Sequence, residues 1–402
     1  MKTYSLRIFP TQQQIRELND LSSIYVEIWN NLIDIQQNEY KNNKKIFNKF
    51  DLNNKLPDLK NQNVTWKKLN SKCIQTIATT IFSSYRSFFT LIKKDKSSRP
   101  PNKLNNDKFH TLTYNQSGWS FKNNLLYINK IPFKFKGKQD YSKENIKEIR
   151  VKFVNNKWLV DLVINDKILY PDKIEKETKI LSVDLGLKNL GNCIDNKGQT
   201  ILIHNKSKKI NKYFSKQINK IKSKLSKKKK HSKSYNQLNK TKRKLLRKKN
   251  AQIKQTLHIQ SKKLSDMNYN TIVIGDLTVK KLMNKEKNKM KGLRKSFHDS
   301  NISTFLNYLT YKCQNKNINL LKINETNTTQ LNCLTGKKFP TKVDLSQREV
   351  NITNDIILDR DINSAINILK RYQEHHLASV NEPFVVTTNV LLEISKRKHI
   401  SL

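Results

Sequence analysis

Acidic residues are scarce in this chain of 402 residues: 32 Asp and Glu stand against 79 Lys and Arg, a formal net charge of +47. Such an excess repels itself in a compact state unless a polyanion offsets it. That sets aside ordinary small-molecule metabolism and points to nucleic acid, whose phosphates release counterions when neutralised. An anionic membrane surface is the competing partner, but no unbroken apolar run reaches spanning length. No signal peptide is expected either, because Met1 to Ile8 alternates like a strand and does not read as an apolar leader. Cysteine is sparse as well. Cys73, Cys193, Cys313 and Cys333 make no CxxC pair, so neither a disulfide framework nor an intact thiolate zinc site is expected, and a reducing compartment fits. Hydrophobic residues amount to only 36%, yet they recur in clear periodic blocks.

Lys2 to Phe9 reads as a strand closed by Pro10-Thr11. Apolar residues at helical spacing (Ile15, Leu18, Leu21, Tyr25, Ile28, Trp29, Leu32) predict a helix from Gln12 towards Tyr40. The polar stretch 42–63 reads as a loop, and a second helix fits Val64 to Lys93. Trp29, Trp66, Tyr85 and Arg86 are candidates for stacking on bases or contacting phosphates, although helical aromatics are more often core. From Phe109 to Asn165 the period becomes two, with turns at Asn123-Asn124 and Asn155-Asn156. These short strands predict a small barrel or sheet that the N-terminal strand joins.

A new domain starts near Lys179. Three antiparallel strands are expected at 180–186, 190–194 and 200–203, with a turn at Asp195-Asn196-Lys197-Gly198. A long basic helical region follows, from Lys208 to Leu264, and no acidic residue occurs between Asp195 and Asp266. Next come a strand at 271–274, a helix at 300–315, a strand at 318–323 and a helix from Asp359 to Arg371. Three antiparallel strands followed by alternating helices and parallel strands is an RNase H-like order.

Two acidic sites stand out. Asp184 interrupts an apolar strand in Ile180-Leu181-Ser182-Val183-Asp184-Leu185-Gly186. A carboxylate on a rigid element suits a hard divalent cation, and the bland alternative is an edge-strand Asp facing solvent. In Asp359-Arg360-Asp361-Ile362-Asn363-Ser364-Ala365-Ile366-Asn367, Asp361 shares a helical face with Ala365 and Ile368. Here the bland alternative is helix capping, which Asp359 fits better than Asp361.

With these two blocks in this order, the chain resembles TnpB, the transposon-encoded relative of type V CRISPR effectors, and more closely its Fanzor branch in eukaryotes and viruses. The opening strand and the basic stretch Leu245–Leu264 resemble the family as well, so the resemblance covers almost the whole chain. It implies an α+β multidomain fold: a small β-barrel (wedge-like) from 1–11 and 102–178 with an inserted helical recognition domain 12–101, then a RuvC-like domain 179–370 with a basic helical insertion 207–265 and a degenerate zinc-ribbon-like insertion 326–357, and a tail 371–402. By position in the motif, Asp184 and Asp361 are the implied metal ligands.

The chain departs from TnpB twice. The second RuvC segment reads Ile272-Val273-Ile274-Gly275-Asp276-Leu277, with Gly275 where a ligand Glu is usual. Fanzor-type chains are similar, with a later Glu as replacement, and the candidate here is Glu325. Asp276, or no third ligand at all, are the alternatives. In the zinc-ribbon region Asn332 and Thr335 stand where cysteines are usual beside Cys333. One thiol cannot make a tetrahedral site, so no structural zinc is expected, and packing of Leu334, Phe339, Val343 and Leu345 should hold the loop.

The implied activity is a transposon-associated, RNA-guided, Mg²⁺-dependent DNA endonuclease. Two Mg²⁺ ions would sit among Asp184, Glu325 and Asp361, and a guide RNA would select double-stranded target DNA beside a short flanking motif. The cluster Lys227, Lys228, Lys229, Lys230, Lys242, Arg243, Arg247, Lys248 and Lys249 is expected to bind nucleic acid, the bland alternative being a solvated face or an import signal. A monomer within a ribonucleoprotein is expected, in the nucleus for a Fanzor-like chain or in the cytoplasm for a bacterial one. The rivals are an RNA-guided binder without cleavage and a transposase. Against the transposase, no separate helix-turn-helix is read in the sequence.

Overall fold

The computed structural model describes residues 2–137, 141, 146–165, 179–277, 290–344, 347–375, 384–396 and 399–402. The chain divides into two compact units, 1–167 and 168–402.

In the first unit, strand β1 (Lys2–Ile8) leads into helix α1 (Gln12–Asn43). A reciprocal capping box starts the helix: the Thr11 hydroxyl accepts from Gln14 N–H, and the Gln14 side chain accepts from Thr11 N–H. The polar stretch expected to be a loop contains a second helix, α2 (Lys49–Gln62), despite Pro57. Its signals are an Asn48–Asp51 capping box and the buried pair Leu52 and Leu56, one helical turn apart. Burial of those two leucines outweighs the weak propensity of the segment. The helix expected over 64–93 is split into a 3-10 turn (Val64–Lys68) and α3 (Ser71–Ile92), because Asn70 caps a new start by accepting from Lys72 N–H.

Strands β2 (Leu112–Asn115), β3 (Trp119–Lys122), β4 (Leu125–Ile128), β5 (Ile131–Phe133), β6 (Phe135–Lys136), β7 (Ile146–Val154) and β8 (Lys157–Ile164) follow. The N-terminal strand pairs antiparallel with β8 and β6, giving a five-stranded order β2-β7-β8-β1-β6, while β3-β4-β5 form a separate meander. Among the described residues β2 and β6 remain edges, so the ladder is open and does not close into the expected barrel. Asn123-Asn124 and Asn155-Asn156 all have φ between 47° and 59°, the left-handed pairs that a tight hairpin requires. With only 8 glycines in the chain, asparagine takes these positions, where its short side chain tolerates the strain. One core runs through helices and sheet together: Leu18, Ile28, Trp66 and Ile81 pack in the same cluster as Leu6, Tyr114 and Val160. The helices are therefore not a domain apart from the strands. Trp66 and Tyr85 belong to that core, whereas Arg86 is exposed.

The second unit is built on a six-stranded sheet. β9 (Ile180–Asp184), β10 (Asn189–Asp195) and β11 (Thr200–His204) are antiparallel neighbours. Helices α4 (Lys206–Ser226) and α5 (Lys233–Ser265) then pack together as a basic hairpin. β12 (Thr271–Gly275) pairs parallel with β9. After α6 (Lys291–Ser300) and α7 (Ile302–Asn315), β13 (Asn319–Ile323) pairs parallel with β12. A two-stranded ribbon, β14 (Glu349–Asn351) and β15 (Ile357–Asp359), precedes α8 (Arg360–His375). The described residues of the stretch expected to be a tail (371–402) are part of the fold; 376–383 and 397–398 lie outside the described residues. The stretch forms α9 (Thr388–Lys396), which buries Leu391 and Ile394, and a short strand β16 (Ile400–Ser401) that extends the sheet beside β11. The order is β13-β12-β9-β10-β11-β16. Its two faces carry separate cores, one under α8 and α9, the other under α5 and α7.

Candidate functional site

Asp184 is the last residue of β9, a strand with β12 on one side and β10 on the other. It is 8% exposed, which removes the reading of a solvent-facing edge residue. Two residues earlier Ser182 Oγ donates to Ala365 O of α8 at 2.7 Å, a buried bond that locks the helix onto the strand. Leaving such a group unpaired costs about 1–3 kcal/mol. The lock brings the first turn of α8 beside Asp184. There Asp361 is 7% exposed, and Asp359 does the capping by accepting from Asp361 N–H at 2.8 Å. Asp361 is left to face the sheet. Its carboxylate accepts from Arg360 Nη2 at 3.0 Å and from Asn192 Nδ2 of β10 at 3.3 Å.

Glu325 lies just past the end of β13, and its Oε2 is buried with no hydrogen-bond partner. Its neighbour is Gly275, the end of β12. A Cβ on Gly275 would stand 2.4 Å from Glu325 Oε2 and 3.1 Å from both Glu325 Cβ and Ile368 Cδ1. The glutamate side chain therefore fills the space that a side chain at 275 would need. Asp276, the alternative, is exposed.

Electrostatics ties the three carboxylates together. Burial, then the charges of Asp361 and Glu325, push the Asp184 carboxyl well above the usual range, with Arg360 opposing. Burial, then Asp276, raises Glu325 to about 7. Two carboxyls raised by burial and by neighbouring carboxylates, one with an orphaned oxygen, suit a hard divalent cation by donor type and charge. As the side chains lie, no group of three or more His, Cys, Asp or Glu that could hold a metal ion forms among the described residues.

The sequence did not single out Arg360, Asn192 or Ser182. Arg360 had a signal, a cation between two aspartates, whereas Asn192 reaches the site only through strand pairing and the part played by Ser182 shows only in its bond to α8. The Cys333 loop packs as expected where it is described, and hydrogen bonds add to the packing. Leu334, Phe339 and Val343 do pack against the core, and Leu345 lies outside the described residues. Asparagines add what packing alone does not. Asn332 accepts from Leu334 and Thr335 N–H and donates to Ile352 O, while Asn363 accepts from Cys333 N–H.

The predicted basic residues lie elsewhere, in the outer part of the α4–α5 hairpin. Lys227, Lys228, Lys229 and Lys230 are exposed at its turn, Arg243, Arg247 and Lys248 are exposed on α5, and Lys242 and Lys249 are half-buried. The buried residues of α5 begin only at Ile253. No helix among the described residues is long and apolar enough to cross a membrane.

Three family models match the chain in order: a helix-turn-helix domain of the OrfB/IS605 type over 1–45, the OrfB/IS605 family described as a probable transposase over 162–286, and a Cas12f1-like TNB domain over 303–368. The last spans both Glu325 and Asp361. The chain is TnpB-like. The first match corrects the expectation that no helix-turn-helix is recognisable, although in this TnpB-like chain the segment is β1 followed by one unbroken helix, α1. No curated protein matches it. Among solved structures it is similar to a Cas12f1–sgRNA–target DNA complex (16% identity, 89% of this chain and 82% of the other, TM-score 0.57). It is also similar to the mini-RNA-guided endonuclease CRISPR-Cas_phi3 (11% identity, 96% and 93%, TM-score 0.52). At these identities the likeness is one of mixed α/β fold.

Proposed function

We propose that this TnpB-like chain is an RNA-guided, Mg²⁺-dependent DNA endonuclease with a single RuvC-like, RNase H-type centre at Asp184, Glu325 and Asp361. The observation that carries the reading is the fit of Glu325 into the space beside Gly275. Glu325, just past the end of β13, fills the room beside Gly275, and its charge raises the Asp184 carboxyl. The same arrangement favours the Fanzor branch over TnpB proper, and with it a nuclear location.

Bound Mg²⁺ would supply the charge that activates water and stabilises the departing 3′ oxygen. The residues prepare for it. Burial disfavours the ionised forms of Asp184 and Glu325, and a bound cation would favour them, since ligands must be deprotonated. Asn192 and Arg360 fix the orientation of Asp361. The exposed lysines of the α4–α5 turn attract phosphate, and the guide RNA, held by a monomeric chain, selects the target beside a short flanking motif.

A second reading, an RNA-guided binder without cleavage, draws on one observation: the three side chains do not converge as they lie. A transposase draws on the description of the matched family. One experiment separates all three. RNA recovered with the purified protein is sequenced, and matching DNA is supplied with Mg²⁺. Cutting without strand joining supports the endonuclease, binding alone supports the binder, and joined strands support the transposase.

A further inference from the structure

Glu325 follows an edge strand. Among the described residues β13 has β12 on one side only, and past Ile323 the chain leaves this sheet. No ladder fixes residue 325, yet its side chain is seated tightly against Gly275. The fixing comes from α8. Arg371 Nη1 donates to Asn324 O at 2.8 Å and Arg371 Nη2 donates to Thr326 O at 2.7 Å. One guanidinium thus grips the carbonyls on both sides of Glu325. Beyond it, Thr328 N–H and Oγ1 both donate to Glu325 O, and the same hydroxyl bonds Ser364 Oγ at 2.9 Å. Asn367 Nδ2 donates to Thr328 O and Leu331 O, both at 2.8 Å. Ser364, Asn367 and Arg371 recur at helical spacing along one side of α8, and Asp361 lies in the first turn of that helix.

We infer that Arg371 is a positioning residue. Its planar fork sets the backbone of Glu325 at a fixed distance along the helix that also carries Asp361, so two implied ligands on chain segments far apart in sequence share one ruler. This rests on the proposed role of Glu325 as a metal ligand. A guanidinium suits the task because two donors of fixed spacing span two carbonyls, which a lysine ammonium cannot reproduce as a rigid pair.

The test compares the full chain with Arg371→Lys, Arg371→Met and Glu325→Gln. Mn²⁺ binding to the purified protein is followed by loss of the free-ion EPR signal, and the Mg²⁺ concentration for half-maximal cleavage is measured with guide RNA bound. Outer partners of metal ligands typically change affinity by about 10–100-fold. Arg371→Met is expected to weaken Mn²⁺ binding and raise the Mg²⁺ requirement by about tenfold or more. Arg371→Lys should fall between it and the unaltered chain, cleavage should return at high Mg²⁺, and RNA binding should be unchanged. A role in folding alone would lower the melting temperature and total activity without moving the Mg²⁺ requirement, and that result overturns the inference. If Glu325→Gln destroys cleavage while both Arg371 variants keep the normal Mg²⁺ requirement, the clamp fails and the role of Glu325 stands. If Glu325→Gln cuts normally, the ligand reading fails and the clamp falls with it.

Discussion

The acidic centre and the basic hairpin of the second unit carry charge in opposite ways. In the proposed centre, Asp184, Glu325 and Asp361 come from three segments and two are nearly buried. Each depends on a partner: Ser182 for the helix–strand lock, Gly275 for space, Asn192 and Arg360 for orientation. On the hairpin, residues 206–265 contain no acid at all, and most basic side chains are exposed. Like charges at i,i+4 repel along a helix, so the hairpin gains stability from an added polyanion, not from its own pairs. Buried charge is specific and costly to position. Exposed charge is cheap, redundant and sensitive to salt.

The comparison predicts a steep contrast in mutational effects. The largest belongs to Asp184→Asn, which should reduce Mg²⁺-dependent cutting to background and leave RNA binding intact. Because burial and neighbouring carboxylates disfavour the ionised form, the same change should raise the melting temperature in EDTA at pH 8. A variant that is both fully active and no more stable would end the contrast.

Next is the Gly275 and Glu325 pair. Gly275→Ala keeps every carboxylate but sets a Cβ 2.4 Å from Glu325 Oε2. The flexible carboxylate end can swing away at small cost in stability, so cutting should fall about a hundredfold, the scale of a 1 Å misplacement, with little change in melting temperature. Glu restored at 275 meets the same obstruction, so rescue of a Glu325 variant requires Glu325→Gly together with Gly275→Glu. Equal cutting by Gly275→Ala and the unaltered protein would show that the placement of Glu325 beside Gly275 has no part in cutting.

A smaller effect is expected from pH. Glu325 titrates at about 7 when folded, above its ordinary 4.5, and Asp184 is shifted in the same direction. The native state therefore holds more protons than the unfolded chain between those values, and stability present below about 4.5 is lost as pH rises through 7. In EDTA the melting temperature should drop by about 3–6 °C from pH 5 to pH 8, after discounting for the partial exposure of Glu325. Mg²⁺ should reduce the drop. A flat profile would mean that the carboxylates are not coupled as described.

The smallest single-residue effects belong to the hairpin. Neutralising Lys242, Arg243, Arg247 and Lys248 together should flatten the salt dependence of nucleic-acid binding by about one unit of log–log slope per lost phosphate contact, whereas each change alone should be hard to detect. An unchanged slope in the combined variant would place these residues in solvent, leaving the import-signal reading.

Much of this was legible in the sequence because it is local. Strand and helix periods, the Asn-Asn turns, the acid-free basic stretch, and the Asp184 and Asp361 motifs all depend on residues a few positions apart. Helix α2 was hidden because only Leu52 and Leu56 mark its buried face. The integration of α9 and β16 into the second unit was hidden because two residues of β16 carry no pattern. Gly275 and Glu325 show where the boundary lies. The sequence alone determined that 275 has no side chain and that a glutamate follows the next strand. Only the tertiary structure decided that one fills the room left by the other, because parallel pairing of β12 with β13 sets residues far apart in sequence side by side, and donors from α8 hold the free end of an edge strand in place.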